Sequence, residues 1–359
     1  VTALTSDAGT ALSVSADGKV AAGTINVAYN PLHSFRWEAG NTVDLSSLVY
    51  NENFQSMSQD GGAIIVNAGN GYRWKGGAVI DLGAVGTVGS SATAISADGS
   101  VVVGKSPDSV GMDKAFRWTN NLMVDLGIAD TVASYSGGPY VSNDGSVVVM
   151  NVFDSISGVG TVIRWENGVV TNLFGSGTAT YAYAAGVSGD GATVVGRFGN
   201  QAYSWKAGVV TYLGVLGAGG ESDATAVSAD GSVIVGYSYI DAITSARHAF
   251  RWENGVMTDL GAPLDGSTVS YAVAVSADGT TVIGYPAFRW SQASGMQSIA
   301  DWVVKAGGVV PSNVTLDYPT AINQDGTVVV GGAKDNGLYT PAWMAQVDAA
   351  TSTGRGRKR

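Results

Sequence analysis

Three groups of residues in this chain have types and spacings that could do chemistry. The stretch GSVVVGKS, Gly99 to Ser106, matches G-x-x-x-x-G-K-[ST], the loop that cradles nucleotide phosphates. Two histidines, His33 and His248, each stand just before a Phe-Arg-Trp and could act as bases or metal ligands. Carboxylates and tyrosines are scattered through the less regular segments. Aromatic platforms with acids between them can bind sugars, and two carboxylates at the right separation can hydrolyse a glycosidic bond. Thiolate chemistry and disulfides are excluded, because there is no cysteine.

Whether any of these groups works depends on the elements that hold it, and those elements repeat. Ser-Ala-Asp-Gly or a variant recurs with its Asp at 17, 60, 98, 144, 190, 230, 278 and 325. Each copy is followed by an Arg-Trp-like landmark, with Trp37, Trp74, Trp118, Trp165, Trp205, Trp252, Trp290 and Trp343; only Trp302 stands outside the pattern. A good copy runs from Ala224 to Gly261 and divides into four short strands. ATAVS and SVIVG flank the turn ADG; AFRW and VMTDL flank the turn ENG. Both turns suit a type I geometry closed by a glycine at positive φ. The Asp therefore reads as a turn residue bonding its own backbone, not as a catalytic acid.

Four antiparallel strands per period of this length predict an all-β fold, a β-propeller of eight four-stranded blades. The apolar second strands (VVV, VIV) suit burial on both faces between neighbours, and the small residues of the first strands suit the crowded axis. The last copy lacks an outer strand, and Val1–Thr5 resembles it. The N-terminal strand is thus expected to close the ring, making residues 1–350 one domain and 351–359 a basic tail or linker. Arg36/Asp44, Arg73/Asp81, Arg117/Asp125 and Arg251/Asp259 lie eight apart, and Ser204 and Tyr212 replace both members together in one copy. The spacing suggests a cross-strand ion pair.

This cycle of AFRW, DLG and AVSADGSVVVG over residues 1–350 resembles the bacterial HAF-repeat family, named for a His-Ala-Phe element. The element is complete at His248-Ala249-Phe250 and partial at His33-Ser34-Phe35 and Lys114-Ala115-Phe116. The resemblance implies export and a place in surface proteins or autotransporter-passenger-like regions. It implies no particular reaction.

The scaffold disposes of two of the three candidate chemistries. A phosphate loop needs a helix after it, whereas Val101–Val103 sit where the other copies have their second strand; nucleotide binding is rejected. The histidines occupy one repeat position in distant copies, which suits a structural role rather than clustered metal ligands; no cofactor or metal is expected. The net charge of -10 argues against a nucleic-acid partner. No apolar run is long enough for a transmembrane segment, and a start at Val1 fits removal of a leader.

Acids and aromatics remain. In an up-and-down blade both tight turns fall on one rim, so the irregular loops (24–33, 105–114, 151–160, 237–247, 261–270 and 300–318) share the other. The candidate ligand-binding residues on that face are Tyr29, Asp113, Tyr183, Tyr239, Asp241, Tyr271, Trp302 and Tyr318. The expectation is an extracellular or cell-surface propeller that binds a glycan or protein partner there without catalysis. Two alternatives stay open: a carboxylate-dependent polysaccharide hydrolase or lyase, and a structural homo-oligomer built through the N-terminal strand.

Overall fold

The computed structural model describes residues 1–25, 33–47, 49, 52–130, 137–154, 159–175, 181–262, 266–332 and 341–347. Among these residues the chain forms antiparallel sheets and one short helix, Ile299–Lys305. Six sheets have four strands in simple up-and-down order, and a seventh has seven strands. A representative sheet takes Ser222–Val227, Val233–Tyr239, Arg247–Glu253 and Val256–Asp259 in turn.

The second strand of each sheet is buried because its residues face neighbours on both sides. Val101, Val102 and Val103 are all buried, as are Val147–Val149 and Val233–Val235. The apolar clusters accordingly sit between consecutive sheets. One joins Ile65 and Leu82 to Val102, Phe116 and Trp118 of the next sheet. Another joins Val195 and Leu213 to Ile234 and Phe250. The architecture is a β-propeller, with radial sheets stacked face to face in chain order.

The repeated turn is held by side chains. In the turn at Ser228, the buried hydroxyl accepts the Val233 N–H at 3.0 Å and donates to Asp230 Oδ1 at 2.7 Å. Asp230 in turn accepts the Ser232 N–H at 3.0 Å. The same set recurs from Ser15 to Thr281, and Asn323 takes the serine's part in the last copy. The glycine after each Asp has positive φ, from 69° to 73°, as the turn requires. The Asp is a turn residue.

These turns also bond to one another by main-chain hydrogen bonds around the axis. The donor–acceptor pairs are Ala16–Gln59, Asp60–Ala97, Ala97–Asn143, Asn143–Gly189, Asp190–Ala229, Ala229–Ala277, Ala277–Gln324 and Gln324–Ala16. Val14, Val187, Val227, Val275 and Ile322 line a cavity of about 200 Å³ above them.

Several expectations need correcting. The N-terminal segment is one long strand, Thr2–Val14, rather than a separate Val1–Thr5 piece. Its first part pairs with Pro341–Gln346, with Thr2 opposite Met344 and Ala3 opposite Trp343. Its second part, Gly9 to Val14, pairs with Val20–Ile25. The ENG turns are two-residue loops in which Asn254 and Gly255 both have positive φ, a type I′ turn, because Glu253 pairs directly with Val256. The segment 300–318 is not all loop, since it begins inside the helix.

The repeat arginines do not pair with the aspartates eight residues on. Asp44 sits opposite Phe35, not Arg36. The guanidinium groups instead cross to the next sheet. Arg36 Nε donates to Gly61 O at 3.2 Å and Arg73 Nε to Gly99 O at 2.7 Å, while the cations lie over Trp74 and Trp118. Arg117, Arg164 and Arg251 make the same reach to Gly145, Gly191 and Gly279. Arginine is thus a clasp between blades, combining a turn carbonyl with a tryptophan face. The aspartates hold the histidine position: His33 Nδ1 lies 3.0 Å from Asp44 and His248 Nδ1 2.9 Å from Asp259.

Candidate functional site

In seven of the repeats, at the end away from the bonded turns, the first two strands have one paired position beside the mouth of the axis. The strand register names the occupants. They are Tyr183 opposite Arg197, Asp223 opposite Tyr237, Tyr271 opposite Tyr285, and Tyr318 opposite Gly332. On the other side they are Thr10 opposite Thr24, Asn53 opposite Asn67, and Ser91 opposite Lys105. One side of the mouth is therefore rich in tyrosine and the other polar without aromatic rings. The position bears side chains because the residue before it, such as Gly236, lets the strands close up. A Cβ there would lie 1.9 Å from Asp223 O.

The tyrosine-rich side is continuous. Tyr285 stacks on Tyr271 at 5.2 Å between ring centroids, and Tyr318 lies 5.4 Å from Tyr285. Tyr237 meets Tyr271 edge-on at 6.4 Å and Tyr239 at 6.2 Å. Offset and edge-to-face contacts of this kind hold rings in place without consuming their outer surfaces. Arg247 packs into the group with its guanidinium carbon 5.0 Å from the Tyr237 ring, 5.7 Å from Tyr239 and 5.9 Å from Tyr271.

Asp223 anchors the arc between two blades. Its Oδ2 accepts the hydroxyls of Tyr183 and of Tyr237, the latter at 3.3 Å. Burial pushes its carboxyl up, opposed by the Tyr183 hydroxyl, the Arg197 charge and Tyr237. Burial and the adjoining carboxylate push Tyr237 up to about 12, and the same causes raise Tyr183. Arg197 is spoken for by Glu221, at 2.9 Å.

Of the residues expected to bind a ligand, the structure brings Tyr183, Tyr239, Tyr271 and Tyr318 together on this arc. Tyr29 lies outside the described residues. Asp113 stands across the mouth, lining a cavity of about 400 Å³ with Ser91, Thr93 and Lys105. Asp241 is a turn former, accepting the Ile243 N–H at 2.6 Å and the Thr244 N–H at 3.1 Å, which hold its carboxyl below the usual range. Trp302 is withdrawn from any ligand. It lies in the helix, packs in the core with Trp343, Ile299 and Val303, and is capped by Arg289 at 4.9 Å. An apolar ring on a short amphipathic helix goes inward.

Tyr237, Tyr285, Arg247 and the buried role of Asp223 were not picked out from the sequence. The signal for the two tyrosines was present, since they occupy the variable place after the second-strand glycine. Among the described residues no group of three or more His, Cys, Asp or Glu is placed to hold a metal ion. No helix among the described residues is long and apolar enough to cross a membrane.

No protein-family model matches the chain, and no curated protein matches it in sequence. Solved structures are similar in fold. The computationally designed Ika8 protein aligns with 96% of this chain and 97% of its own, at 16% identity and a TM-score of 0.57. A puromycin-hydrolysing peptidase of Mycobacterium tuberculosis aligns with 81% of this chain over 52% of its own, at 13% identity and a TM-score of 0.51. TolB from Acinetobacter baumannii aligns with 66% of this chain over only 62% of its own, at 12% identity and a TM-score of 0.40. At these identities the likeness is one of fold alone.

Proposed function

We propose that this chain is an exported, surface-displayed propeller of eight blades that binds a saccharide on its tyrosine-lined mouth and does no chemistry on it. The count of eight rests on the turns and their chain of main-chain hydrogen bonds, which runs from Ala16 through Gln324 and back to Ala16. Closure by the N-terminal strand is supported by Thr2–Val14 pairing with the last strand and with Val20–Ile25. Export and surface display rest on the HAF-like repeat and the absence of cysteine.

The observation that carries the binding role is the contiguous arc Tyr237, Tyr271, Tyr285 and Tyr318. Its rings are fixed by each other and rooted through Asp223, so a sugar face meets surfaces already ordered. Hydrolysis is the weaker reading. Glu221 is paired with Arg197, Asp241 with backbone amides, and Asp223 is covered by two tyrosine hydroxyls.

The test is binding to a glycan array by the folded protein and by Tyr271→Ala and Tyr318→Ala. Losing one stacking platform, worth about 0.5–1.5 kcal/mol, should weaken recognised glycans about two- to tenfold. Unchanged binding by both variants would remove the tyrosine arc from the function.

A further inference from the structure

Among the described residues the arginines are nearly all satisfied from within. Five reach a turn carbonyl of the next blade, Arg197 pairs with Glu221, and Arg289 donates to Thr281 at 3.2 Å. Arg247 differs. Among the described residues its guanidinium donates no hydrogen bond to any acceptor; its Nε, like those of Arg164 and Arg289, is buried without a partner. The residue is only half-buried, and its terminal nitrogens reach solvent.

No carboxylate among the described residues is paired with it. Asp223, the nearest acid on the arc, takes its bonds from Tyr183 and Tyr237, and the cation that acts on it is Arg197. Three tyrosine rings surround the Arg247 guanidinium. Rings hold a guanidinium cation without using its N–H groups, which point out along the edge of the plane. An edge of two parallel N–H donors fits the two oxygens of a carboxylate. Facing solvent, that edge is free to exchange water for the two oxygens of a ligand, and such a charge-assisted pair is stronger than a neutral hydrogen bond.

We propose that the tyrosine site takes an acidic saccharide, with a uronate carboxylate bound end-on by Arg247 and the sugar ring laid on the neighbouring tyrosines. This rests on the saccharide reading above and names its class. The chain's net charge of -10 selects against densely sulfated or phosphorylated polymers and favours a sugar carrying an isolated carboxylate.

The experiment uses an array of matched oligosaccharide pairs, each neutral member beside the same chain with one uronate. It compares the intact protein with Arg247→Gln, Arg247→Lys and Tyr271→Ala, each verified as folded by its melt. The intact protein should prefer the uronate member by about ten- to a hundredfold, the range of one charge-assisted bidentate contact. Arg247→Gln should erase that preference while keeping neutral binding, and Arg247→Lys should retain part of it. Equal binding of both members, or a preference that survives Arg247→Gln, overturns the acidic-sugar inference and leaves the saccharide reading standing. Binding of no saccharide at all overturns both.

Discussion

Replacing Ser228 by alanine isolates one turn of the repeat. Ser228 and Val233 are each 1% exposed, and the Ser228 hydroxyl is the acceptor for the Val233 N–H at 3.0 Å. Without it that amide is a buried orphan, costing about 1–3 kcal/mol. The bond to the Asp230 carboxylate is lost as well, but Asp230 is exposed and keeps the Ser232 N–H and hydroxyl, so water recovers part of that loss. The sum is about 2–4 kcal/mol. For a chain of 359 residues the unfolding entropy at the midpoint is about 0.75 kcal/mol/K, which converts the loss to a drop of about 3–5 °C. Ser232→Ala, which removes only an exposed bond to the same carboxylate, should shift the melt by less than about 1 °C. Calorimetry of the two variants beside the parent decides it. Asp230 itself, held at about 2, should rise toward its ordinary value of about 3.9 in Ser228→Ala when followed by carboxyl NMR. A melt for Ser228→Ala no lower than that of Ser232→Ala would refute the account of the turn.

Leu4, 2% exposed and packed with Phe35, Val330 and Met344, tests closure: Leu4→Ala should cost about 2–5 kcal/mol and removal of residues 1–5 more. Denaturation midpoints that ignore both changes would sink the reading of Thr2–Val14 as the strand that completes the last blade. The turn aspartates set the acid limit. Asp98 and Asp230 are held at about 2 by backbone and serine hydrogen bonds, and Asp17, Asp144, Asp278 and Asp325 are also lowered. Because the folded values lie below the unfolded value of about 3.9, their stabilisation is complete above that pH and is lost as pH falls toward about 2. Asp223 and Glu52, raised by burial, act in the opposite sense and disfavour folding once ionised. Melting temperature should therefore decline below pH of about 4, and a flat profile down to pH of about 2.5 would contradict it.

The scaffold was legible because every blade repeats the same solution to the same packing problem. Asp-Gly after a serine, an apolar triplet and an Arg-Trp each recur, so the turn, the buried strand and the third strand could be placed from spacing alone. The arginine's partner could not. Position eight residues on is close in sequence, but the hairpin register puts Phe35 opposite Asp44, and the Arg36 side chain leaves its own blade. Contacts between blades carry no fixed sequence offset, so pattern reading assigned a local partner. Trp302 failed for a related reason. It falls outside the repeat, where the only guide was its type, and its helix was hidden in a segment read as loop.

The site, by contrast, exists where the repeat stops being uniform. At the turn rim each copy must satisfy the same buried N–H, which allows only Ser or Asn followed by Asp-Gly. At the opposite end the paired mouth position has no such duty, and Thr24, Asn67, Lys105, Arg197, Tyr237, Tyr285 and Gly332 are all accommodated. Among the described residues four consecutive blades place tyrosine there, at Tyr183, Tyr237, Tyr271 with Tyr285, and Tyr318, and Arg247 enters at that stretch. A series of similar blades becomes polar on one side of its mouth and tyrosine-rich on the other while the Ser/Asn-x-Asp-Gly turn is kept. On the proposed binding role, recognition can therefore change by substitution at these positions while the bonded turns are left as they are.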